Sequence, residues 1–200
     1  MRTVGPYSVV DTKDIYTNPW ISVHEDRVIR PDGAAAVFGI VEMKAGSSVL
    51  ALDNNGDVLL IREFKYAVER ETLEVISGGV EIGESPLEAA KRELREEAGY
   101  EASEWLDLGA IDPFTTAIRS RNYMFMALHL TRVERQLDEG EILETVRVPL
   151  SEAVRMVLAS EITHGASCTL LLKAERYRVR DIEVEPTPPG ALPSSPQTAR

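Results

Sequence analysis

Residues 78–100 read GGVEIGESPLEAAKRELREEAGY, a glycine-rich loop followed by a helix whose two ends are both marked. Ser85 is a good N-cap, Pro86 suits the first helical position, and Glu88 stands three residues after Ser85, as a capping box requires. Gly99 is a residue type that ends helices. The segment therefore predicts a helix that begins at Pro86 and stops just before Gly99.

The predicted helix carries an acidic flank. Glu93 lies three residues before Glu96 and four before Glu97, so their carboxylates converge. Like charges at this spacing destabilise a helix by roughly 0.2–0.5 kcal/mol per pair, and the helix dipole disfavours anions in the last turns. Arg92 and Arg95 offset part of this repulsion, and Mg²⁺, which prefers carboxylate and water oxygens, offsets more of it. By itself the helix also fits a solvated, glutamate-rich surface.

The whole segment resembles the Nudix box. Gly78 is followed after five residues by Glu84, and Glu84 after seven residues by Arg92-Glu93-Leu94-Arg95-Glu96-Glu97-Ala98-Gly99, which matches the box at every fixed position. Tyr100, in the closing apolar position, departs from its aliphatic set. The resemblance implies a Nudix hydrolase, which cleaves a nucleoside diphosphate linked to another moiety with Mg²⁺ or Mn²⁺ and water. It also implies an α+β fold, an α/β/α sandwich around a mixed β-sheet.

The resemblance assigns roles to the residues of the box. The implied metal ligands are Glu93, Glu96, Glu97 and the backbone carbonyl of Ser77. Arg92 is implied to orient the glutamates, Glu84 to brace the loop, and Gly78 and Gly99 to shape the backbone. The implied chemistry agrees with these charges, because a metal neutralises the diphosphate, polarises phosphorus and activates water.

The resemblance extends to ADP-ribose pyrophosphatases and related nucleotide-sugar hydrolases. It is carried by residues 58–66 (VLLIREFKY), by residues 71–74 (ETLE) and by the acidic residues 138–141 (DEGE). In that group the acidic loop carries a catalytic glutamate, so we expect Glu139 first and Glu141 second as the base; a solvated acidic turn is the alternative. The implied catalytic residues are Glu139, Glu141, Glu97 and Arg92.

The candidate substrate-binding residues are four that precede the box in the sequence: Arg62, Phe64, Lys65 and Tyr66. Arg62 is expected to bind phosphate. Alternatively, Arg62 and Lys65 are charged residues at a strand edge that keep the protein soluble. One of Phe64 and Tyr66 is expected in the core and the other on a nucleobase, and Trp20 is a further stacking candidate across a dimer. The group often has Arg where this chain has Lys65. Because Lys cannot form the bidentate contact of a guanidinium, GDP-mannose or UDP-glucose is an alternative substrate.

Composition and charge narrow the partners. The net charge of −11 argues against gripping nucleic acid or an anionic membrane, because such binding needs basic patches. A single cysteine, Cys168, excludes an intrachain disulfide and indicates a reducing compartment. The longest apolar run, residues 33–41, is far short of a membrane span. We expect a cytoplasmic protein, and we interpret His24, His129 and His164, which share no ligand spacing, as structural.

The chain divides by composition into three parts. Residues 1–45 are expected to form a small β-rich dimerisation subdomain, with a hairpin over residues 20–42 that turns at Pro31-Asp32-Gly33. Residues 46–180 are expected to form the Nudix domain, and residues 181–200, rich in proline, a disordered tail. A homodimer is expected because the N-terminal strands are too few to bury their own faces.

The expected reaction is hydrolysis of a nucleoside diphosphate sugar, with ADP-ribose cleaved to AMP and ribose 5-phosphate as the first choice. Hydrolysis of nucleoside triphosphates is an alternative, against which the long N-terminal β region argues. A non-catalytic sensor of nucleotide sugars is a further alternative, against which the complete set of box glutamates argues.

Overall fold

The computed structural model describes residues 2–137 and 142–179. The strands, in chain order, are β1 (Arg2–Val4), β2 (Tyr7–Thr17), β3 (Ile21–Ile29), β4 (Ala35–Met43), β5 (Gly46–Leu52), β6 (Asp57–Lys65), β7 (Arg70–Gly79), β8 (Tyr100–Ile111), β9 (Ile118–Arg119), β10 (Asn122–Arg132) and β11 (Leu143–Pro149). The helices are α1 (Pro86–Glu93), α2 (Leu150–Leu158) and α3 (Gly165–Val179). None of these described helices is long and apolar enough to cross a membrane.

The N-terminal strands form a sheet of their own, in the order β1-β2-β3-β4-β9. The hairpin predicted for residues 20–42 is the β3–β4 pair, and its turn contains Gly33 at φ +83°, a conformation that glycine adopts without strain. Strand β2 was not predicted, because every residue after Val9 in it is exposed and no apolar alternation marks it. The short strand β9 pairs parallel with β4 and so joins this sheet from far along the chain.

The second sheet is mixed, in the order β11-β6-β7-β5-β10-β8. Strands β5 and β10 run parallel, and the other pairs are antiparallel. Strand β7 pairs with β6 over residues 70–75 and with β5 over residues 76–79, so the strand changes partner just before its glycines. Beside this change of partner, the Ser77 N–H bonds the side chain of Glu97 and not a neighbouring strand.

Helices cover both faces of the mixed sheet. Leu60 and Val75 belong to the core cluster that also contains residues of α2 and α3. Leu59 and Ile76, one residue away along each strand, belong to the cluster packed against α1. Because successive strand residues point to opposite faces, these two clusters are the two faces of one sheet. The expected α/β/α sandwich with a mixed sheet is confirmed.

Helix α1 begins as predicted and ends differently. Ser85 Oγ accepts from the Glu88 N–H at 3.2 Å, and Glu88 accepts from the Ser85 N–H at 2.7 Å, which is the capping box. The prediction of one regular helix up to Gly99 is wrong, because residues Leu94–Ala98 form a π-helical turn. The Gly99 N–H, at φ +70°, reaches back to both Arg95 and Leu94.

Candidate active site

Glu93, the last residue of α1, and Glu97, in the π-helical turn, lie against the end of β7. The Ser77 N–H donates to Glu97 Oε2 at 3.2 Å, which ties this carboxylate to the strand. The Glu93 carboxylate packs on Gly78, where an added Cβ would lie only 1.9 Å from Glu93 Oε1. Gly78 is therefore required by close approach of a side chain and not by its backbone angles. Glu93 and Glu97 are 8% and 9% exposed, so both charges are largely removed from water.

Arg92 is the centre of this cluster. Its Nη1 donates to Glu93 at 2.6 Å and to Glu96 at 2.9 Å. Its Nη2 donates to the Gly79 carbonyl at 2.8 Å, and its Nε and Nη2 form a fork on Glu84 at 3.0 and 3.2 Å. One guanidinium thus connects the loop, the strand end and two of the glutamates, a geometry that the single ammonium of a lysine cannot reproduce.

Glu84 fixes the loop between β7 and α1. Besides the arginine fork, its Oε2 accepts from the Glu81 N–H at 3.0 Å. The hydrogen bond from Arg92 holds the pKa of Glu84 below its usual value, and the Glu81 N–H acts in the same direction. In turn, the hydrogen bond to Glu84 and those to Glu96 and Glu93 raise the pKa of Arg92. The loop is therefore held by a charged network that stays ionised at neutral pH.

The donor set fits a hard divalent cation. Carboxylate oxygens of Glu93, Glu96 and Glu97 and the carbonyl of Ser77 are the oxygen ligands that Mg²⁺ prefers. Within the described residues no cluster of three or more His, Cys, Asp or Glu side chains is close enough to hold a metal by itself. Mg²⁺ does not need one, because it is usually bound by one or two carboxylates together with substrate phosphates and waters.

Lys65 and Glu74 extend the charged cluster along the same sheet face. Lys65 Nζ donates to Glu63 at 2.5 Å. Burial lowers the pKa of Lys65, but the hydrogen bond to Glu63 and the charges of Glu63, Glu74 and Glu97 outweigh burial and raise it. Lys65 is therefore a permanent cation facing the glutamates. Glu74, 9% exposed, was not predicted as a site residue, although a charge inside the apolar run LEVI was a usable signal.

The other candidates before the box lie elsewhere. By strand alternation, Arg62 and Phe64 share the opposite face of β6 with Leu60. Arg62 Nη1 lies 3.7 Å from Glu144 Oε2, a strand-edge pair. Phe64 is 57% exposed and Tyr66, which follows β6, is 90% exposed, so the prediction that one of them lies in the core is wrong. In the described part of the chain, Lys65 is the member of this group that the fold brings to the glutamates.

A cavity of about 310 Å³ adjoins the end of β7. Ser77, Gly78, Trp20, Asn122 and His164 contribute to its lining. Trp20 is 72% exposed and reaches this cavity within its own chain. His164, interpreted from the sequence as structural, was missed as a residue of this region, because 86 positions separate it from Gly78 and no local pattern connects them.

The candidate bases Glu139 and Glu141 lie outside the described residues, which stop at Leu137 and resume at Ile142. The residues on both sides of this interval contact described parts of the fold. Leu143 pairs with Glu63 on β6, and the Arg135 guanidinium donates to the Leu143 carbonyl at 3.5 Å. The roles expected for Glu139 and Glu141 therefore stay predictions.

Comparison with known proteins yields consistent matches. A family model described as NUDIX domain matches residues 43–166, and one described as nucleoside diphosphate sugar hydrolase N-terminal domain matches residues 7–41. The ADP-ribose pyrophosphatase of Bacillus subtilis (strain 168) is 30% identical over 152 residues, which cover 75% of this chain and 82% of that protein.

Two further matches cover more of the chain. The GDP-mannose pyrophosphatase of Yersinia enterocolitica is 27% identical over 182 residues, covering 81% of this chain and 92% of that protein. A crystal structure of an ADP compounds hydrolase superposes with a TM-score of 0.77 at 21% identity, covering 88% of this chain and 96% of that one, which shows the shared fold.

Proposed function

This chain belongs to the Nudix family of hydrolases, and we propose that it cleaves the diphosphate bond of a nucleoside diphosphate sugar with Mg²⁺, ADP-ribose being the first candidate. The products are then AMP and ribose 5-phosphate. The observation that carries this proposal is the Arg92-centred set of glutamates at the end of β7, at the position of the Nudix box. The names of several relatives support a nucleotide-sugar substrate.

The side chains of the cluster divide the work. The candidate metal ligands are Glu93, Glu96, Glu97 and the Ser77 carbonyl, of which one or two carboxylates would bind Mg²⁺, or alternatively Mn²⁺, together with substrate phosphates and waters. A divalent ion bound there neutralises diphosphate charge and lowers the pKa of a bound water. Arg92 fixes the orientation of Glu93 and, through Glu84, holds the loop before α1 next to it. Lys65, a cation on the same face, attracts the diphosphate toward the carboxylates.

Proton removal from the attacking water requires a base that the metal ligands do not supply. We assign this role to Glu139, with Glu141 as second choice, because the acidic loop precedes β11, whose first residue Leu143 pairs with Glu63 next to Lys65. Such a base contributes about 10²–10⁴-fold to the rate. Glu97 and Arg92 complete the proposed catalytic set.

A homodimer is proposed through the N-terminal subdomain, residues 1–45. Val10, Ile29 and Val37 are exposed by 37% or more and line one depression on its sheet. A second copy would remove this apolar surface from water. Light scattering on the eluting peak of a gel filtration run tests the proposal, and a monomer at micromolar concentration contradicts it.

The substrate is tested by a panel of nucleotide sugars and nucleoside triphosphates with Mg²⁺, products being separated by chromatography. Wild type is compared with Glu97→Gln, which keeps the side-chain shape and removes the charge. Release of AMP and ribose 5-phosphate from ADP-ribose, lost in the variant, supports the proposal. A preference for GDP-mannose or UDP-glucose moves the assignment to another nucleotide sugar, and release of pyrophosphate from triphosphates contradicts it.

A further inference from the structure

Two backbone N–H groups of β7 donate hydrogen bonds to side chains from the helices, one from each side of the sheet. The Val75 N–H donates to Ser167 Oγ at 2.9 Å, and the Ser77 N–H donates to Glu97 Oε2 at 3.2 Å. Backbone N–H groups two residues apart in a strand point to the same edge. The start of α3 and the π-helical turn therefore meet on one edge of β7, which places the neighbourhood of His164 beside the proposed metal ligands.

The His164 ring is fixed at one of its two nitrogens. Nδ1 lies 2.8 Å from Ser167 Oγ and 3.3 Å from Glu74 Oε2. Burial lowers the pKa of His164, the charge of Glu74 raises it, and Lys65 lowers it further, so that the net direction is downward. At neutral pH the imidazole is therefore uncharged, and its orientation is held by groups on β7 and α3.

The other nitrogen of His164 lacks a protein partner. Among residues 2–137 and 142–179 no group hydrogen-bonds Nε2, although the ring lines the cavity beside Ser77 and Gly78. Asn122 lines the same cavity, and its buried Oδ1 likewise has no hydrogen-bond partner in the described chain. The His164 side chain is 32% exposed, so its Nε2 is accessible to water and to a ligand in the cavity.

The chemistry of the cavity selects the ligand group. The buried Glu74 carboxylate, whose Oε2 lies 3.3 Å from His164 Nδ1, disfavours an added anion beside the imidazole ring. A hydroxyl group both donates and accepts, and it carries no charge. Trp20 offers an aromatic ring in the same cavity. An aromatic surface beside hydroxyl-binding groups fits a nucleoside.

We propose that His164 is a substrate-binding residue, whose Nε2 hydrogen-bonds a ribose hydroxyl of the substrate's nucleoside, with Asn122 lining the same subsite. This inference rests on the proposed function, because it presumes that the diphosphate binds at the glutamates next to the cavity. Glu74 and Ser167 then act as positioning residues that hold the imidazole.

The test crosses one substitution with one change of substrate. ADP-ribose is compared with its analogue that lacks both hydroxyls on the adenosine ribose, in wild type and in His164→Ala. With ADP-ribose, His164→Ala raises KM about three- to tenfold, the range expected for one lost hydrogen bond. With the analogue, the same substitution changes KM by less than twofold, because the contact is already gone.

Controls separate binding from folding. His24→Ala, on β3 of the N-terminal sheet, leaves both substrates unchanged. His164→Gln, which keeps a polar side chain, recovers part of the KM for ADP-ribose. A merely structural role would lower the melting temperature and affect both substrates alike, and that result overturns the inference. Equal KM values for wild type and His164→Ala overturn it too.

The inference and the proposed function fail in different ways. Turnover of ADP-ribose by wild type reports on the proposed function, whereas the ratio between wild type and His164→Ala reports on the subsite. If wild type does not cleave ADP-ribose, calorimetric titration with ADP-ribose gives the same comparison as dissociation constants. If wild type neither cleaves nor binds ADP-ribose, then ADP-ribose is not its substrate and the inference is overturned.

Discussion

Replacing Gly78 by alanine should displace the Glu93 carboxylate. A Cβ at this position would lie 1.9 Å from Glu93 Oε1, 2.1 Å from Cδ and 2.6 Å from Oε2, whereas ordinary contact begins at 3.4 Å. The nearest oxygen must therefore retreat by about 1.5 Å, a van der Waals requirement. The retreat also pulls Oε1 away from Arg92 Nη1, to which it is bonded at 2.6 Å.

The expected effect on activity is large. Misplacing a catalytic group by about 1 Å costs about 10²-fold in rate, so Gly78→Ala should lower turnover by roughly two orders of magnitude. Affinity for Mn²⁺, measured by calorimetry with the full chain, should fall together with turnover, because the same carboxylate serves both.

Gly79→Ala is a matched control one residue away. A Cβ there meets Lys44 Cδ at 3.7 Å, which is ordinary contact, and Gly79 needs no positive φ. Its turnover and Mn²⁺ affinity should stay within about twofold of wild type, since surface changes of this size are nearly neutral. If Gly78→Ala kept the activity and the Mn²⁺ affinity of Gly79→Ala, the assignment of Glu93 as a ligand would be refuted.

Further substitutions test the rest of the network. Arg92→Lys should lower turnover by about tenfold or more, because Lys cannot form the fork on Glu84 while reaching the other glutamates; unchanged kinetics would contradict the orienting role. Arg92 lowers the pKa of Glu84, so the stability that this carboxylate contributes is present above pH 4.5 and lost as pH falls through its lowered folded pKa. Acid unfolding below pH 4.5 should accordingly be less steep in Glu84→Gln, and identical curves would contradict this. Glu139→Gln should lower turnover by about tenfold or more with unchanged melting temperature, and full activity would move the role to Glu141.

Local sequence rules predicted the beginning of α1. The capping box depends on residues three positions apart, and Ser85 and Glu88 satisfy it in the structure. The sandwich was expected from the resemblance to the Nudix family, and the apolar runs of β6 and β7, which are buried on both faces, agree with it. These features rest on short-range spacing and on hydrophobic burial, which a single sequence displays.

Features that depend on distant partners escaped prediction. Strand β2 is held by pairing with β3 and carries mostly exposed residues, so nothing in its own pattern marks it. The partners of His164 are Glu74 on β7 and Ser167 on α3, and only the fold brings that strand to that helix. The π-helical turn likewise reflects the contacts of Glu97 with β7 rather than the propensities of residues 94–98.

Because of the π-helical turn, the number of residues between Glu93 and Gly99 constrains the geometry of the site. A backbone bond from Gly99 to Leu94 spans one residue more than an α-helical bond does, so the last turn holds an extra residue. Deleting Arg95, whose side chain pairs with Glu101 on the surface, would let the turn relax into an ordinary helix. Glu96 and Glu97 would then stand three and four residues after Arg92 instead of four and five, so each carboxylate would take a new angle to Arg92 and β7. Single-residue insertions and deletions in residues 94–98 should therefore be far more damaging than substitutions at Arg95.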